Sequence, residues 1–126
     1  MDETLARILV VDDDLLTAEF TGMILEESGY DTVIAEGGID ALEKIAGNPS
    51  IGIVISDMNM PFMDGVQLFE ELRQQGDARP FVLLTGQDAE PLRVAHPDMA
   101  AVTTKDEHLQ ETLPELVRLL LANKGV

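Results

Sequence analysis

Apolar residues along this chain fall into two alternating kinds of segment. Short runs of consecutive apolar residues, such as 8–11, are followed by longer segments in which apolar residues recur every three or four positions. The first kind predicts buried strands, and the second predicts helices with one apolar face. Glycine and proline separate the segments, as at Gly29 and at 47–49, and predict turns. The predicted strands are 7–11, 32–35, 51–56, 81–84 and 100–103, and the predicted helices are 14–28, 39–46, 66–75 and 107–122, with a short further helix between 88 and 99.

Three of the predicted strands are apolar at consecutive positions rather than at alternate positions. The first, third and fourth runs share this pattern, which indicates that both faces of each strand are buried. Five such strands alternating with helices are typical of an α/β doubly wound parallel sheet with helices on both sides. We therefore predict a single domain over residues 1–126, with its core at about 7–121.

Polar side chains that can do chemistry follow four of the predicted strands. Asp12, Asp13 and Asp14 follow the first strand, Asp57 the third, Thr85 the fourth and Lys105 the fifth. Right-handed crossovers bring the carboxyl ends of all strands in such a sheet to one edge, where ligands bind. The sequence therefore predicts one crevice that holds three or four carboxylates, a hydroxyl and an ammonium group.

Each of these residues also has a purely structural interpretation. An aspartate after a strand often caps the next helix, although capping accounts for only one of three consecutive aspartates. Asp57 can begin a turn, and Thr85 can cap a helix. Lys105 precedes a helix and opposes the helix dipole, so a negative partner is expected nearby. The set as a whole favours the functional interpretation.

Carboxylates that are crowded into one crevice repel one another. Unless a cation lies among them, some must take up protons, with a raised pKa. Only oxygen ligands are available, which favours a hard ion such as Mg²⁺ over zinc. Such an assembly suits phosphoryl transfer to a carboxylate, because Mg²⁺ and Lys105 would neutralise the phosphoryl oxygens.

The sequence resembles the receiver domains of bacterial response regulators, from about residue 7 to residue 121. Its most specific segment is 57–65, DMNMPFMDG, which is similar to the phosphorylation loop of that family. Residues 8–14, ILVVDDD, resemble the family's opening strand and acid pair, and the spacing to Thr85 and Lys105 also suits the family. The resemblance implies a flavodoxin-like fold with strand order 2-1-3-4-5.

The resemblance also implies which residues would bind the metal. Asp57 and Asp13 would bind Mg²⁺ directly, together with the backbone carbonyl of Asn59. Asp12 would act largely through water. Asp57 would at the same time be the residue that accepts the phosphoryl group.

The remaining roles concern the phosphoryl group and its donor. The resemblance implies that Thr85 binds one phosphoryl oxygen and moves toward it, and that Lys105 pairs with another. The donor would be a histidine on a sensor kinase or phosphotransfer protein. The domain would catalyse its own phosphorylation and slow dephosphorylation, and would signal by switching its binding to an unknown downstream protein or effector domain, rather than act as an enzyme on a separate substrate.

Three departures from the family concern signal output. Asp106 stands where the family usually has proline, and Val102 stands where it often has an aromatic residue. Pro91 and Pro97 leave room for only a short fourth helix. The phosphorylation chemistry is therefore expected to be intact, and its readout is expected to differ.

Composition restricts the remaining choices. The net charge is −16, from 24 acidic and 8 basic residues, so direct binding to nucleic acid is not expected. No apolar run is long enough to cross a membrane, and the acidic start at residues 1–4 argues against a signal peptide. The absence of cysteine fits a reducing cytoplasm, which is the compartment that we expect.

Two other functions are compatible with parts of the pattern. A Mg²⁺-dependent phosphatase of the haloacid-dehalogenase type also uses an aspartyl nucleophile. Such phosphatases have a second carboxylate two residues later that serves as general acid, but this chain has Asn59 there, which cannot take that role. A receiver-like interaction module without phosphorylation is the second alternative, and the altered output elements are its support. Whether the chain acts alone or belongs to a longer protein stays open at this stage.

Overall fold

The computed structural model describes residues 7–124, and the side chains of residues 7–122. The segments predicted to form strands and helices alternate along the chain, five of each. The strands are β1 (Arg7–Val11), β2 (Asp31–Ala35), β3 (Ile51–Asp57), β4 (Phe81–Thr85) and β5 (Ala101–Thr104), and the helices are α1 (Leu15–Glu27), α2 (Gly38–Ala46), α3 (Gly65–Gln74), α4 (Glu90–Ala95) and α5 (Leu109–Lys124).

All five strands pair in parallel in one sheet, in the order β2-β1-β3-β4-β5. The register places the ends of neighbouring strands side by side: Val11 is opposite Ser56, Asp57 is opposite Leu84, and Thr85 is opposite Thr104. The predicted fold class and strand order are therefore confirmed. The strand order changes direction between β1 and β3, which is where a ligand site is expected in such a sheet.

The core has two layers, one on each face of the sheet. Side chains from α2, α3 and α4 pack on one face, and side chains from α1 and α5 pack on the other. β3 lies in the middle of the sheet and is buried at every position. The consecutive apolar residues of β3 thus reflect burial on both faces, and this strand carries Asp57 at its end.

Local interactions explain where several elements differ from the predicted bounds. α5 begins at Leu109 rather than at 107, because the Asp106 side chain accepts the backbone N–H of His108 and forms a turn before the helix.

α4 has six residues, with Pro91 in its first turn and Pro97 just after its end. The short fourth helix is therefore confirmed.

No helix between Arg7 and Lys124 combines the length and the apolar character that crossing a membrane requires. The acidic residues 1–4, on which the argument against a signal peptide depends, lie outside the described residues, as do both ends of the predicted 1–126 domain.

Candidate functional site

Two neighbouring strands, β1 and β3, bring three carboxylates together at the carboxyl edge of the sheet. Asp57 is the last residue of β3 and is 8% exposed, and Asp12 directly follows β1 and is 5% exposed. Asp13 is the next residue and is exposed. Each of the three side chains offers one carboxylate oxygen that lies within 4.8 Å of those of the other two. The structure thus places Asp12, Asp13 and Asp57 in one cluster.

The third consecutive aspartate, Asp14, has a different position. Its carboxylate accepts the backbone N–H groups of Leu16 and Thr17, so Asp14 is the N-cap of α1. Its own backbone N–H donates to the Asp12 carboxylate at 2.9 Å. Capping therefore accounts for one of the three aspartates and leaves Asp12 and Asp13 to the cluster.

Lys105 is the cation of the crevice. Its Nζ lies 2.7 Å from the Asp57 Oδ1 and 3.8 Å from the Asp12 Oδ2. Its backbone N–H donates to the carbonyl oxygen of Thr85 at 2.8 Å, which fixes the end of β5 beside the end of β4. The negative partner expected for a lysine before α5 is therefore supplied by the two buried aspartates.

Thr85 closes β4 and is almost fully buried. It follows Leu84, which is the register partner of Asp57 in the sheet. The Thr85 hydroxyl accepts the backbone N–H of Gln87 at 3.1 Å, and α4 begins only at Glu90. The hydroxyl therefore shapes the turn after β4 and does not cap a helix.

The loop from Met58 to Asp64 follows Asp57 and leads into α3. Asn59 is exposed in this loop, two residues beyond Asp57. Gly65 closes the loop, because its N–H donates to the carbonyl oxygen of Met58 at 2.9 Å. A Cβ on Gly65 would lie 2.6 Å from the carbonyl oxygen of Asp57, so no larger residue fits there without a shift.

Two residues of this region were not singled out from the sequence. The Ser56 hydroxyl donates to the carbonyl oxygen of Asp57 at 2.9 Å within the buried strand, and Gly65 allows the loop to approach the same carbonyl. The pair Asp64-Gly65 predicts a turn. The close packing of Gly65 against a strand could not be predicted, because such a contact leaves no recognisable pattern in a single sequence. Both residues hold the backbone of Asp57 in place.

The electrostatics of the cluster follow from crowding and burial. Burial raises the pKa of the Asp12 carboxyl above its usual value, and repulsion from Asp57 and Asp13 adds to this effect. The N–H of Asp14 and the charge of Lys105 oppose it. The raised pKa expected for crowded carboxylates is thus found at Asp12.

The donor set of the cluster suits a hard divalent cation. It consists of three carboxylates whose oxygens lie within 4.8 Å of one another, and it contains no nitrogen or sulfur ligand. Oxygen-only sites with few carboxylates are typical of Mg²⁺, which keeps part of its water shell. The residues present therefore fit a magnesium ion.

Comparison with known proteins identifies the family to which the chain belongs. Residues 8–115 match the family model described as the response regulator receiver domain. The chain belongs to this family of receiver domains of two-component response regulators. The predicted resemblance is thereby confirmed.

The particular proteins that the chain is similar to belong to the same class. It is 38% identical to the response regulator MprA of Mycobacterium ulcerans (strain Agy99) over 120 residues, which are 94% of this chain and 51% of that protein. It is also 38% identical to MprA of Mycobacterium sp. (strain KMS) over 116 residues, 90% of this chain and 50% of that protein. The chain thus spans about half the length of the curated relatives that it matches.

Solved structures of receiver domains share the fold. The receiver domain of a Francisella response regulator superposes with a TM-score of 0.85 at 28% identity, covering 94% of this chain and 98% of that chain. The response regulator protein TrrA of Thermotoga maritima, described in complex with Mg(2+)-BeF, superposes with a TM-score of 0.82 at 29% identity, covering 92% and 99%.

The departures from the family also have a place in the structure. Val102 is buried in β5, and its carbonyl oxygen accepts a hydrogen bond from the Arg93 Nη2 of α4 at 2.8 Å. Asp106 forms the turn that leads into α5. The positions predicted to differ from the family thus lie on α4, on β5 and in the turn before α5.

Proposed function

We propose that this receiver domain takes a phosphoryl group onto the carboxylate of Asp57 in a Mg²⁺-dependent reaction. The observation that carries the proposal is the position of Asp57 between a cation and other carboxylates. Its Oδ1 is 2.7 Å from the Lys105 Nζ, and its carboxylate lies in the cluster with Asp12 and Asp13. A nucleophilic carboxylate beside positive charge is what aspartyl phosphorylation requires.

The same cluster would hold the metal. We assign Asp13 and Asp57 as direct ligands of Mg²⁺, with the backbone carbonyl of Asn59 as a third and Asp12 acting largely through water. Bound there, Mg²⁺ would neutralise negative charge on the phosphoryl oxygens. The Mg(2+)-BeF complex described for the similar TrrA protein supports this assignment.

The chain's own residues supply the rest of the reaction. A carboxylate oxygen of Asp57 forms a bond to phosphorus while the bond from phosphorus to the donor nitrogen breaks, and the electron pair stays on that nitrogen. Lys105 exchanges its contact with Asp57 for one with a phosphoryl oxygen. The Thr85 hydroxyl oxygen accepts the Gln87 N–H, and its O–H group donates a hydrogen bond to a second phosphoryl oxygen.

The donor that we propose is a phosphohistidine on a sensor kinase or phosphotransfer protein. Leu15, Leu16 and Phe20 are exposed apolar residues on α1, which begins directly after the acidic cluster. They offer a donor protein an apolar surface beside the crevice. The net charge of −16 disfavours nucleic acid as a direct partner, so the output goes to a downstream protein or effector domain.

We further propose that residues 1–126 form one receiver domain with its core at about 7–121, and that it works in the cytoplasm without binding a membrane. The domain would catalyse its own phosphorylation and its own slow dephosphorylation. It acts as a switch and not on a separate substrate, because Asp57 is itself the group that is modified.

The test is incubation with acetyl phosphate, with and without Mg²⁺, followed by intact mass. We expect one phosphoryl adduct in the presence of Mg²⁺ and a large loss of adduct after its removal by chelation. Asp57→Asn should give no adduct. Asp98→Asn, which removes an exposed carboxylate from the connection between α4 and β5, is the matched control and should react normally.

A wild-type protein that stays unmodified, under conditions in which other receiver domains react, would contradict the proposal. The receiver-like interaction module without phosphorylation would then be the better account. An adduct that persists in Asp57→Asn would assign the acceptor to another residue.

A further inference from the structure

The side chain of Phe62 has an unusual position in the loop between β3 and α3. It is 100% exposed, and its φ angle is +71°, the only positive φ of a non-glycine residue in the part of the chain that the structure describes. The N–H of Met63 donates to the carbonyl oxygen of Pro61 at 2.8 Å across it. A three-residue turn with a positive φ at its centre is the rare, strained form of the γ-turn.

No contact within the fold accounts for phenylalanine at this position. A positive φ is unfavourable for a bulky side chain, whereas glycine adopts it without a steric penalty. The ring buries no apolar surface in return, because it is fully exposed. Phe62 is therefore unfavourable in both its backbone and its side chain in the isolated domain.

The loop that carries the ring is packed against the rest of the domain. The side chain of Met63 packs directly on Gly38 at the start of α2, where a Cβ would lie 2.6 Å from the Met63 Sδ. Phe62 therefore projects from a loop that is packed against α2, and not from a free segment.

The surroundings of the ring combine apolar and acidic groups. Phe62 stands between two shallow depressions, one of which also contains Ile39 and Glu36 and the other Glu70 and Glu71. Ile39 is itself 56% exposed. We call these five residues the Phe62 surface.

The rim of the Phe62 surface is negative. The nearby Asp40 pairs with Lys44 at 2.8 Å, but among the described residues no cation pairs with Glu36, Glu70 or Glu71. An anionic bilayer and a nucleic acid would both be repelled by this rim. A second copy of the chain would bring another net charge of −16.

We propose that the Phe62 surface is a docking site for a second protein whose contact surface is basic around an apolar pocket. The Phe62 ring fills the pocket, and the glutamates pair with the basic rim. An aromatic side chain surrounded by polar groups is the usual form of an energetic centre in a protein interface. This contact goes beyond phosphoryl transfer, because none of the five residues is among those assigned to that reaction.

The first experiment is site-specific crosslinking in the organism that encodes the chain. A photoreactive benzoyl-phenylalanine replaces Phe62, and a matched sample carries it at Val94, an exposed apolar residue on α4. We expect position 62 to form a covalent adduct with another protein that position 94 does not capture. The captured protein is then purified.

The second experiment measures binding of that purified protein. Phe62→Gly should raise the dissociation constant about tenfold or more, whereas Val94→Ala should leave it unchanged. Added salt should weaken binding of the wild type, and should do so less for a Glu70→Gln, Glu71→Gln double variant. Phosphorylation by acetyl phosphate should persist in Phe62→Gly, which separates this contact from the proposed function.

Three results would overturn the proposal. One is a position-62 adduct that contains only two copies of this chain, and another is an affinity indifferent to Phe62→Gly. The third is the absence of any protein adduct from position 62. Vesicles of phosphatidylcholine and phosphatidylglycerol are the matching control, and the wild type should not bind them.

Discussion

Gly65 is constrained by one backbone atom of Asp57, the proposed acceptor of the phosphoryl group. Its missing side chain leaves room for the carbonyl oxygen of Asp57, which would be 2.6 Å from a Cβ, and for the Leu83 Cδ1, which would be 2.5 Å away. We expect Gly65→Ala to lower the free energy of unfolding by about 1–3 kcal/mol, because one strand or the loop must shift. Urea unfolding measures the change.

The control is Gly86→Ala, because a Cβ at Gly86 would have no atom within 4 Å. Its unfolding free energy should stay close to that of the wild type. Equal stability of both variants would mean that the loop closing at Gly65 adapts without strain. Slower phosphorylation of Gly65→Ala would in addition report a displaced Asp57.

Asp12 makes the stability depend on pH. Its pKa is raised in the folded protein, mainly by burial, so the folded state holds the proton more tightly than the unfolded chain. Stability is therefore full below the unfolded value, for which 3.8 is the usual figure, and falls as the pH rises from there through the folded pKa. We expect Asp12→Asn to remove this decline.

The measurement is urea unfolding over acidic to neutral pH in the presence of a chelator. Asn keeps the oxygen that accepts the Asp14 N–H, so the variant should be more stable than the wild type near neutral pH, with a smaller difference at acidic pH. Asp98→Asn controls for the loss of one negative charge. A wild type that is the more stable of the two near neutrality would refute the argument.

The sequence predicted much of the site at this scale. The aspartates after β1 and β3 and the lysine after β5 lie together because parallel strands end at one edge of the sheet, where Thr85 ends the neighbouring strand β4. It did not predict which aspartate caps α1, because Asp12, Asp13 and Asp14 differ only in where the chain turns. The positive φ of Phe62 was equally hidden, since phenylalanine is not a residue that predicts such a turn.

At the scale of elements, α5 contains an unfavourable residue. Pro114 lies within the helix Leu109–Lys124, so the carbonyl of Gln110 receives no N–H from position 114 and the proline ring crowds it. We expect Pro114→Ala to raise the free energy of unfolding by about 1–3 kcal/mol. Thermal and urea unfolding both measure the change.

Pro91 provides the comparison for Pro114. It lies in the first turn of α4, where the missing N–H has no helical partner to lose. Pro91→Ala should change stability little. A similar response to both substitutions would show that α5 bends at Pro114 in a way that compensates for the lost bond.

Element bounds were predicted within a few residues, and local side chains explain the differences. The strands β3 and β4 extend to Asp57 and Thr85 because polar residues can continue a parallel ladder at the sheet edge. α5 starts at Leu109 and not at the predicted residue 107, because the side chain of Asp106 forms a turn before the helix. A hydrogen bond from a side chain to the nearby backbone can favour a turn over a helix, and the spacing of apolar residues does not reveal such a bond.

At the scale of the whole molecule, the proposed metal site should change global stability. A cation that binds only the folded state stabilises it by about 2.7 kcal/mol when its concentration is a hundred times the dissociation constant. We expect Mg²⁺ to raise the unfolding temperature of the wild type, and to raise that of Asp13→Asn much less. Asp13 is exposed, so this variant should fold normally.

The control addresses the net charge of −16. Any salt screens repulsion among so many carboxylates, so a monovalent salt of equal ionic strength must be compared with Mg²⁺. Equal stabilisation by the two salts would contradict a specific site. Stabilisation of Asp13→Asn equal to that of the wild type would exclude Asp13 as a ligand.

The architecture was the most predictable property of the chain. Consecutive apolar residues in three strands identified a parallel sheet covered on both faces, and the order β2-β1-β3-β4-β5 followed from the family resemblance. The output was not predictable in the same way. Val102 and Asp106 show where the chain departs from its family, but a surface that binds a partner is defined by that partner as well.

The burial of β3 also has a kinetic consequence. Its amides bond to two neighbouring strands, so we expect them to exchange with solvent only when the entire sheet opens. Asp57, the proposed acceptor, would thus be attached to the slowest-opening segment of the described residues. If Asp57 is phosphorylated as proposed, local fluctuation of the backbone would offer water no faster route to the acyl phosphate, so we expect its lifetime to be set by hydrolysis within the folded site.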